Sequence, residues 1–249
     1  MIEIVTAYPI FFLLLLFMVA FLYASVGHGG ASGYLALMAL FGVMAPAMMK
    51  SSALIMNIFV SSISFFHYYR TGNFRWKLFF PFAIASIPMA FIGGYIILDP
   101  MIYKKILGVI LIFPILRFFG IFGKTEGPEK EVKLFWALLA GGIIGMLSGM
   151  IGIGGGIILS PVILLLHWGN MKQTAAVSAL FILVNSVAGL SGMFSTGIGI
   201  DSSVYLWVAV ALAGGFAGAY LGSKKFNNLV LKRILAVVLT LACIKLLVT

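Results

Sequence analysis

Residues 134–156 read LFWALLAGGIIGMLSGMIGIGGG, an uncharged apolar run from Leu134 to Ile151 that stops at Gly152, Gly154, Gly155 and Gly156. A helix needs about 20 apolar residues to cross the roughly 30 Å hydrocarbon core of a bilayer, so this run predicts a membrane-spanning helix followed by a break. Working outward, comparable runs cover Tyr8–Val26, Lys50–Tyr69, Leu78–Leu98, Ile102–Phe122, Thr174–Ser195, Val204–Gly222 and Leu229–Val248. Two shorter ones, Ala31–Met44 and Gly156–Trp168, are the length of half-crossing helices. The expected fold class is therefore an all-α polytopic membrane protein with eight full spans and two short helices. Strands of a membrane barrel alternate polar and apolar residues, and no such alternation runs through this chain. The composition agrees: 63% of residues are hydrophobic, 9% are charged and mean hydropathy is +1.18.

A net charge of +10 raises the question of nucleic acid. The Lys and Arg residues fall mostly in short loops between apolar runs, where lipid headgroups and topology account for them, so no nucleic-acid partner is expected. Glu3 precedes the first run with no basic residue and no small-residue cleavage pattern follows, so that segment is expected to stay as a span. Cys243 stands alone and no Cys/His cluster has metal-ligand spacing, which leaves no cofactor or metal to expect.

The chain repeats itself. A shift of 125 residues lays Gly27, Gly29 and Gly30 on Gly152, Gly154 and Gly155, Thr71-Gly72 on Thr196-Gly197, and Phe91, Gly93 and Tyr95 on Phe216, Gly218 and Tyr220. Ser52-Ala53-Leu54 falls on Ser178-Ala179-Leu180 with one more residue. Each half is then a long helix, a glycine break, a short helix and three further long helices, dividing the chain into repeats 1–122 and 134–249 around a linker, 123–133. Arg70, Arg75 and Lys77 follow the third helix of the first half, whereas the equivalent loop of the second half carries only Asp201 and its cations, Lys224, Lys225, Lys232 and Arg233, come one loop later. Because basic loops stay cytoplasmic, the halves are expected to be inverted, with the linker inside and both termini outside. Lys104 and Lys105 fall on the outer side against that rule. Inverted repeats of broken helices around a midplane site are the architecture of secondary transporters.

The breaks are the candidate site. Gly27, His28, Gly29 and Gly30 interrupt the first half, and Gly152, Gly154, Gly155 and Gly156 the second. Backbone that leaves a helix at membrane depth must line a cavity or a protein interior. The short helix after each break turns its N-terminal N–H groups and positive dipole end toward it, a setting for an oxyanion. The preceding strand and the Lys-Ser/Thr of a phosphate loop are missing. All six carboxylates, Glu3, Asp99, Glu126, Glu129, Glu131 and Asp201, fall at span ends, loops or termini, which points away from a cation site and toward an anion. Ser51, Ser52 and Asn57 in the first half, and Thr174, Ser178, Asn185 and Ser186 in the second, supply polar groups for a route. His28, in place of Ile153, is the candidate for proton coupling, its ordinary pKa lying near 6.5. Lys50 and Lys172, at the ends of the short-helix loops, read equally as anion attractors and as side chains snorkelling to headgroups.

The Gly27-His28-Gly29-Gly30 and Gly152-Ile153-Gly154-Gly155-Gly156 breaks, the Ser51–Leu54 and Val177–Leu180 stretches, the Tyr69–Phe74 loop and Ile92-Gly93-Gly94-Tyr95 together resemble the TauE/SafE family of sulfite exporter-like permeases over nearly the whole chain. The second half closes on Phe216–Gly222 in the same way. The resemblance implies a multi-pass permease of the bacterial cytoplasmic membrane that moves sulfite, organosulfonates or similar small anions. The expected partners are that anion and membrane lipids; oligomeric state is not legible. The alternative is an anion channel or a membrane scaffold whose glycine breaks serve only helix packing.

Overall fold

The computed structural model describes residues 2–118, 128–225, 239–240 and 243–248. Nine helices of 10 residues or more lie among them: α1 Ile2–Ala24, α2 Ala31–Phe41, α3 Pro46–Arg70, α4 Trp76–Tyr95, α5 Pro100–Phe118, α6 Leu134–Ile151, α7 Gly156–Leu165, α8 Met171–Phe194 and α9 Ser203–Lys225. Residues 239–240 and 243–248 are helical as well. The described residues are all helix and connection, with no strand. Five helices, α3, α4, α6, α8 and α9, are long and apolar enough to cross a membrane, and α2 and α7 are short, as the sequence predicts. The other expected spans, Tyr8–Val26, Ile102–Phe122 and Leu229–Val248, run into residues or side chains outside the described set. So do Lys124, Glu126, Lys232 and Arg233 and the side chains of Lys224 and Lys225.

The bundle is a core of long helices packed through glycine. The residues Gly141, Gly145 and Gly149 of α6 press on the backbone of α4 at Phe82, Ser86 and Ala90, in the same order along both helices, so α4 and α6 run parallel. In the same way Gly214, Gly218 and Gly222 of α9 press on Phe17, Phe21 and Ser25, so α1 and α9 run parallel. Lipid tails are as apolar as Leu, so helices in a bilayer gain by close backbone approach, which these seams provide. The helix α3 crosses α8 between the two seams, and α3 also meets α9 as α8 meets α4. The Tyr68 hydroxyl, at the end of α3, donates to the Ser25 carbonyl at 2.8 Å, so α1 and α3 finish on the same side. That is the side where α4 begins.

The seams set a clear stability contrast. A Cβ on Gly145 would collide with the Ser86 backbone, whereas one on Gly142 would meet Ala85 and Met89 side chains at 3.9 Å, an ordinary contact. Gly145→Ala is therefore expected to cost about 1–3 kcal/mol by overpacking and Gly142→Ala to be near neutral, as read by thermal unfolding in detergent. Equal melting temperatures for the two variants would contradict this packing.

Candidate functional site

Each break is built by left-handed backbone that an L side chain rarely adopts. Gly27 and Gly30 (φ 78° and 99°) turn the chain out of α1 and into α2, and Gly152, Gly154 and Gly155 (φ 89°, 71° and 77°) do so between α6 and α7. Gly30 and Gly155 are the N-caps of the short helices, neither with a side-chain cap bond.

The two breaks meet at the α3–α8 crossing. A Cβ on Gly29 would fall on the Asn57 amide and 3.0 Å from Ile182, and a Cβ on Gly154 would lie 2.5 Å from Asn57 Nδ2 and 2.8 Å from Ile182. Asn57 of α3 and Ile182 of α8 thus plug the space between the two breaks. Asn57 is fully buried and ties the breaks together. Its Oδ1 accepts from the Ala31 N–H, the first of α2, at 3.0 Å. Its Nδ2 donates to the Ile153 carbonyl and to Ser186 Oγ, each at 3.3 Å.

A second polar chain runs beside it. His28, 1% exposed, contacts the Val26 carbonyl through Nδ1 at 2.9 Å, so Nδ1 carries a proton. Its Nε2 lies 2.9 Å from Ser160 Oγ and 3.2 Å from the Gly156 carbonyl, and Ser160 Oγ lies 2.8 Å from Ser178 Oγ. A neutral ring accepts the Ser160 proton at Nε2, while a charged ring donates there to Gly156 and leaves Ser160 donating to the same carbonyl at 2.9 Å. Both charge states have partners in this geometry.

The expected residues are not all assembled. Gly27, His28, Gly29, Gly30, Asn57, Gly152, Gly154, Gly155, Gly156 and Ser178 border the two breaks. Ser51 and Ser52 do not join them: Ser51 donates to the Met48 carbonyl at 3.1 Å and Ser52 to Met44 Sδ at 3.5 Å. Asn185 donates to the Phe181 carbonyl at 2.8 Å, and its buried Oδ1 has no partner among the described residues. The spatial counterpart of Asn57 is Ile182, not Asn185. Sequence reading left out Ser160 and Ser148. Ser160 stands four residues into α7 from Gly156, so its hydroxyl returns over the break, a spacing that identifies it in hindsight. Ser148, beside Gly155, keeps a buried hydroxyl without a partner among the described residues.

Lys50 is placed differently from a snorkelling side chain. It is 5% exposed, its stem lies against Gly152 and its Nζ donates to the Gly94 carbonyl at 3.0 Å. Every carboxylate whose side chain is described, Asp99, Glu129, Glu131 and Asp201, sits in a loop. On the side where α4 begins, Glu129 pairs with Arg75 and accepts from Asn170 Nδ2 at 3.3 Å, and the Lys130 N–H donates to the His167 carbonyl at 2.7 Å. The linker residues are thereby fastened to a loop of each half, beside a cleft of about 480 Å³.

Comparison with known proteins places the chain in a family. The model of the family described as sulfite exporter TauE/SafE matches residues 12–246. The chain is 37% identical to a "probable membrane transporter protein" of Sinorhizobium fredii over 93% of this chain and 95% of that protein. A protein of the same description from Bacillus subtilis is 26% identical over 90% of this chain and 92% of its own length. Another from Methanocaldococcus jannaschii is 31% identical over 53% of this chain and 51% of its own. No solved structure matches the chain.

Proposed function

The chain belongs to the sulfite exporter TauE/SafE family of integral membrane transporters, and from that premise we propose that it is a secondary permease for sulfite, organosulfonates or similar small anions. One observation carries the reading: two glycine breaks, each opening a short helix, converge on Asn57 and Ile182 at the crossing of two long helices. The N-terminal ends of α2 and α7 open from the two breaks, and although Asn57 takes the Ala31 N–H and the Gly155 carbonyl those of Ile158 and Leu159, the positive dipole ends of both helices favour negative charge there. Gly29, Gly154 and Gly156 expose backbone to it, and Ser178, Ser160 and Asn57 offer polar groups.

Transport in this reading is alternating access between two inverted repeats, 1–122 and 134–249, joined by the cytoplasmic linker 123–133. The exchange of partners supports it, since α1 pairs with α9 as α6 pairs with α4, and α3 and α8 cross each other. Opposite directions of α1 and α6 support the inversion. With Asn57 and Ile182 between the breaks, the arrangement corresponds to a closed state, which opens as one half rocks against the other. The bilayer is the cytoplasmic membrane of a bacterium.

A ligand that binds only the folded protein raises its melting temperature by mass action. Sulfite or a short sulfonate at millimolar concentration is expected to raise the melting temperature of the detergent-purified protein more than equal chloride does. No greater shift with any sulfur anion would speak for a scaffold whose breaks only pack helices. The proton hypothesis rests on His28 and has its own check in proteoliposomes, using a sulfonate whose charge is constant over the pH range. An imposed pH gradient is expected to change wild-type flux several-fold and to leave His28→Gln flux unchanged; an equal response in both removes His28 as the proton carrier.

A further inference from the structure

Lys50 lies in the second turn of α3, about 30 Å along the helix axis from Arg70 at 1.5 Å per residue. We propose that Lys50 and the small cavity beside it form an anion subsite at the mouth of the second break, taking a small oxyanion on its way to Gly154–Gly156. The subsite deepens the permease reading and rests on it.

The cation is not a requirement of the fold. Under the 125-residue shift Gly27 corresponds to Gly152, and the side chain against Gly27 is Ala175 where that against Gly152 is Lys50. A small apolar residue serves the packing in one half, so the lysine in the other supplies something further. Lys50 is buried without a carboxylate partner among the described residues, an arrangement that is unfavourable for an ammonium until a counter-charge arrives. An ammonium carries three donors, and the Gly94 carbonyl takes one of them.

Space and approach are both present. A cavity of about 30 Å³ adjoins Lys50 between Pro46, Gly94, Tyr103 and Met150, and the exposed side chain of Ile97 stands at its rim. That volume suits one or two waters or a small oxyanion, not a bulky aromatic sulfonate. The hydroxyl of Tyr103 donates to the Ile151 carbonyl at 3.0 Å and holds the wall next to Gly152. A second cavity of about 230 Å³ shares Pro46 and Tyr103 with the first and is lined by Lys104 and Lys245. Lys245 leans on the Leu40 carbonyl at 2.8 Å. These cations gather on the face opposite the Arg70–Lys77 loop, where the rule that keeps basic loops cytoplasmic does not account for them. Attraction of an anion does.

Equilibrium dialysis of labelled sulfite against the full-length protein in detergent, with chloride as competitor, tests the subsite through Lys50→Met, Lys50→Gln and Lys50→Arg. The expected result is binding weakened at least tenfold in K50M and K50Q and within threefold of wild type in K50R, with no ligand-free melting temperature below that of wild type and that of K50M at or above it. Wild-type binding equal to that of K50M or K50Q overturns the subsite and leaves the permease reading standing. Loss of binding that follows a lowered melting temperature, rescued equally by no variant, overturns it in favour of a helix-capping role for Lys50. A wild-type protein that binds neither labelled sulfite nor a short labelled sulfonate run in parallel overturns the permease reading and the subsite together.

Discussion

Asn57→Leu is expected to reduce anion flux at least a hundredfold while the protein still inserts and keeps its helical circular dichroism. Leucine keeps the branched four-atom skeleton but leaves the Ala31 N–H, the Ile153 carbonyl and Ser186 Oγ without the partner that Asn57 gives them. A buried group left unsatisfied costs about 1–3 kcal/mol, and measured interhelical polar bonds in membranes run lower, at roughly 0.6 kcal/mol on average. The sum over these groups is on the order of 2–5 kcal/mol, so melting is expected several degrees below wild type. Function suffers more than stability because the same side chain joins the first N–H of α2 to the backbone of the second break. A variant with normal flux would separate Asn57 from the transport path.

Gly154→Val is expected to abolish flux as completely. Two independent costs fall on it. The backbone at φ 71° is disfavoured for a β-branched residue, and the new Cβ would stand 2.5 Å from Asn57 Nδ2 and 2.8 Å from Ile182 Cγ2. Gly199→Val is the control, since no atom lies within 4 Å of a Cβ there. The expected contrast is loss of sulfite counterflow in the first and flux within twofold of wild type in the second. Comparable flux in both would mean that the second break is a bystander.

Much of this arrangement was legible in the sequence. Length and apolarity placed α3, α4, α6, α8 and α9 to within a few residues, because the bilayer leaves only helix or closed barrel for a spanning backbone. Glycine order placed both breaks, and the structure puts them face to face. The side-chain partners were less legible. Ser52 and Ser178 match by order, yet only Ser178 gains a hydroxyl and imidazole chain. Its companions Ser160 and His28 correspond, at 125 residues, to Leu35 and Ile153, so Ser52 has apolar surroundings and turns to Met44 instead.

Lys50 shows the other limit. A lysine near the start of an apolar run reads equally as an anion attractor and as a side chain that reaches for headgroups, because nothing in the sequence says whether it is obstructed. The end of α4 and the glycine at 152 close over it, and only the tertiary packing contains that fact. Ser160 escaped notice because one serine in a short apolar helix carries no signal until its turn is known to face a histidine from the other half.

The central claim is that small sulfur anions cross the membrane through the meeting point of the two breaks. Counterflow of labelled sulfite in anaerobic proteoliposomes containing the full-length protein tests it most directly, with chloride and protein-free vesicles as controls. The account requires accumulation of label driven by unlabelled sulfite on the opposite side, absent with chloride and absent in Asn57→Leu. Sulfite movement no faster than in protein-free vesicles, or equal movement in wild type and Asn57→Leu, would contradict it.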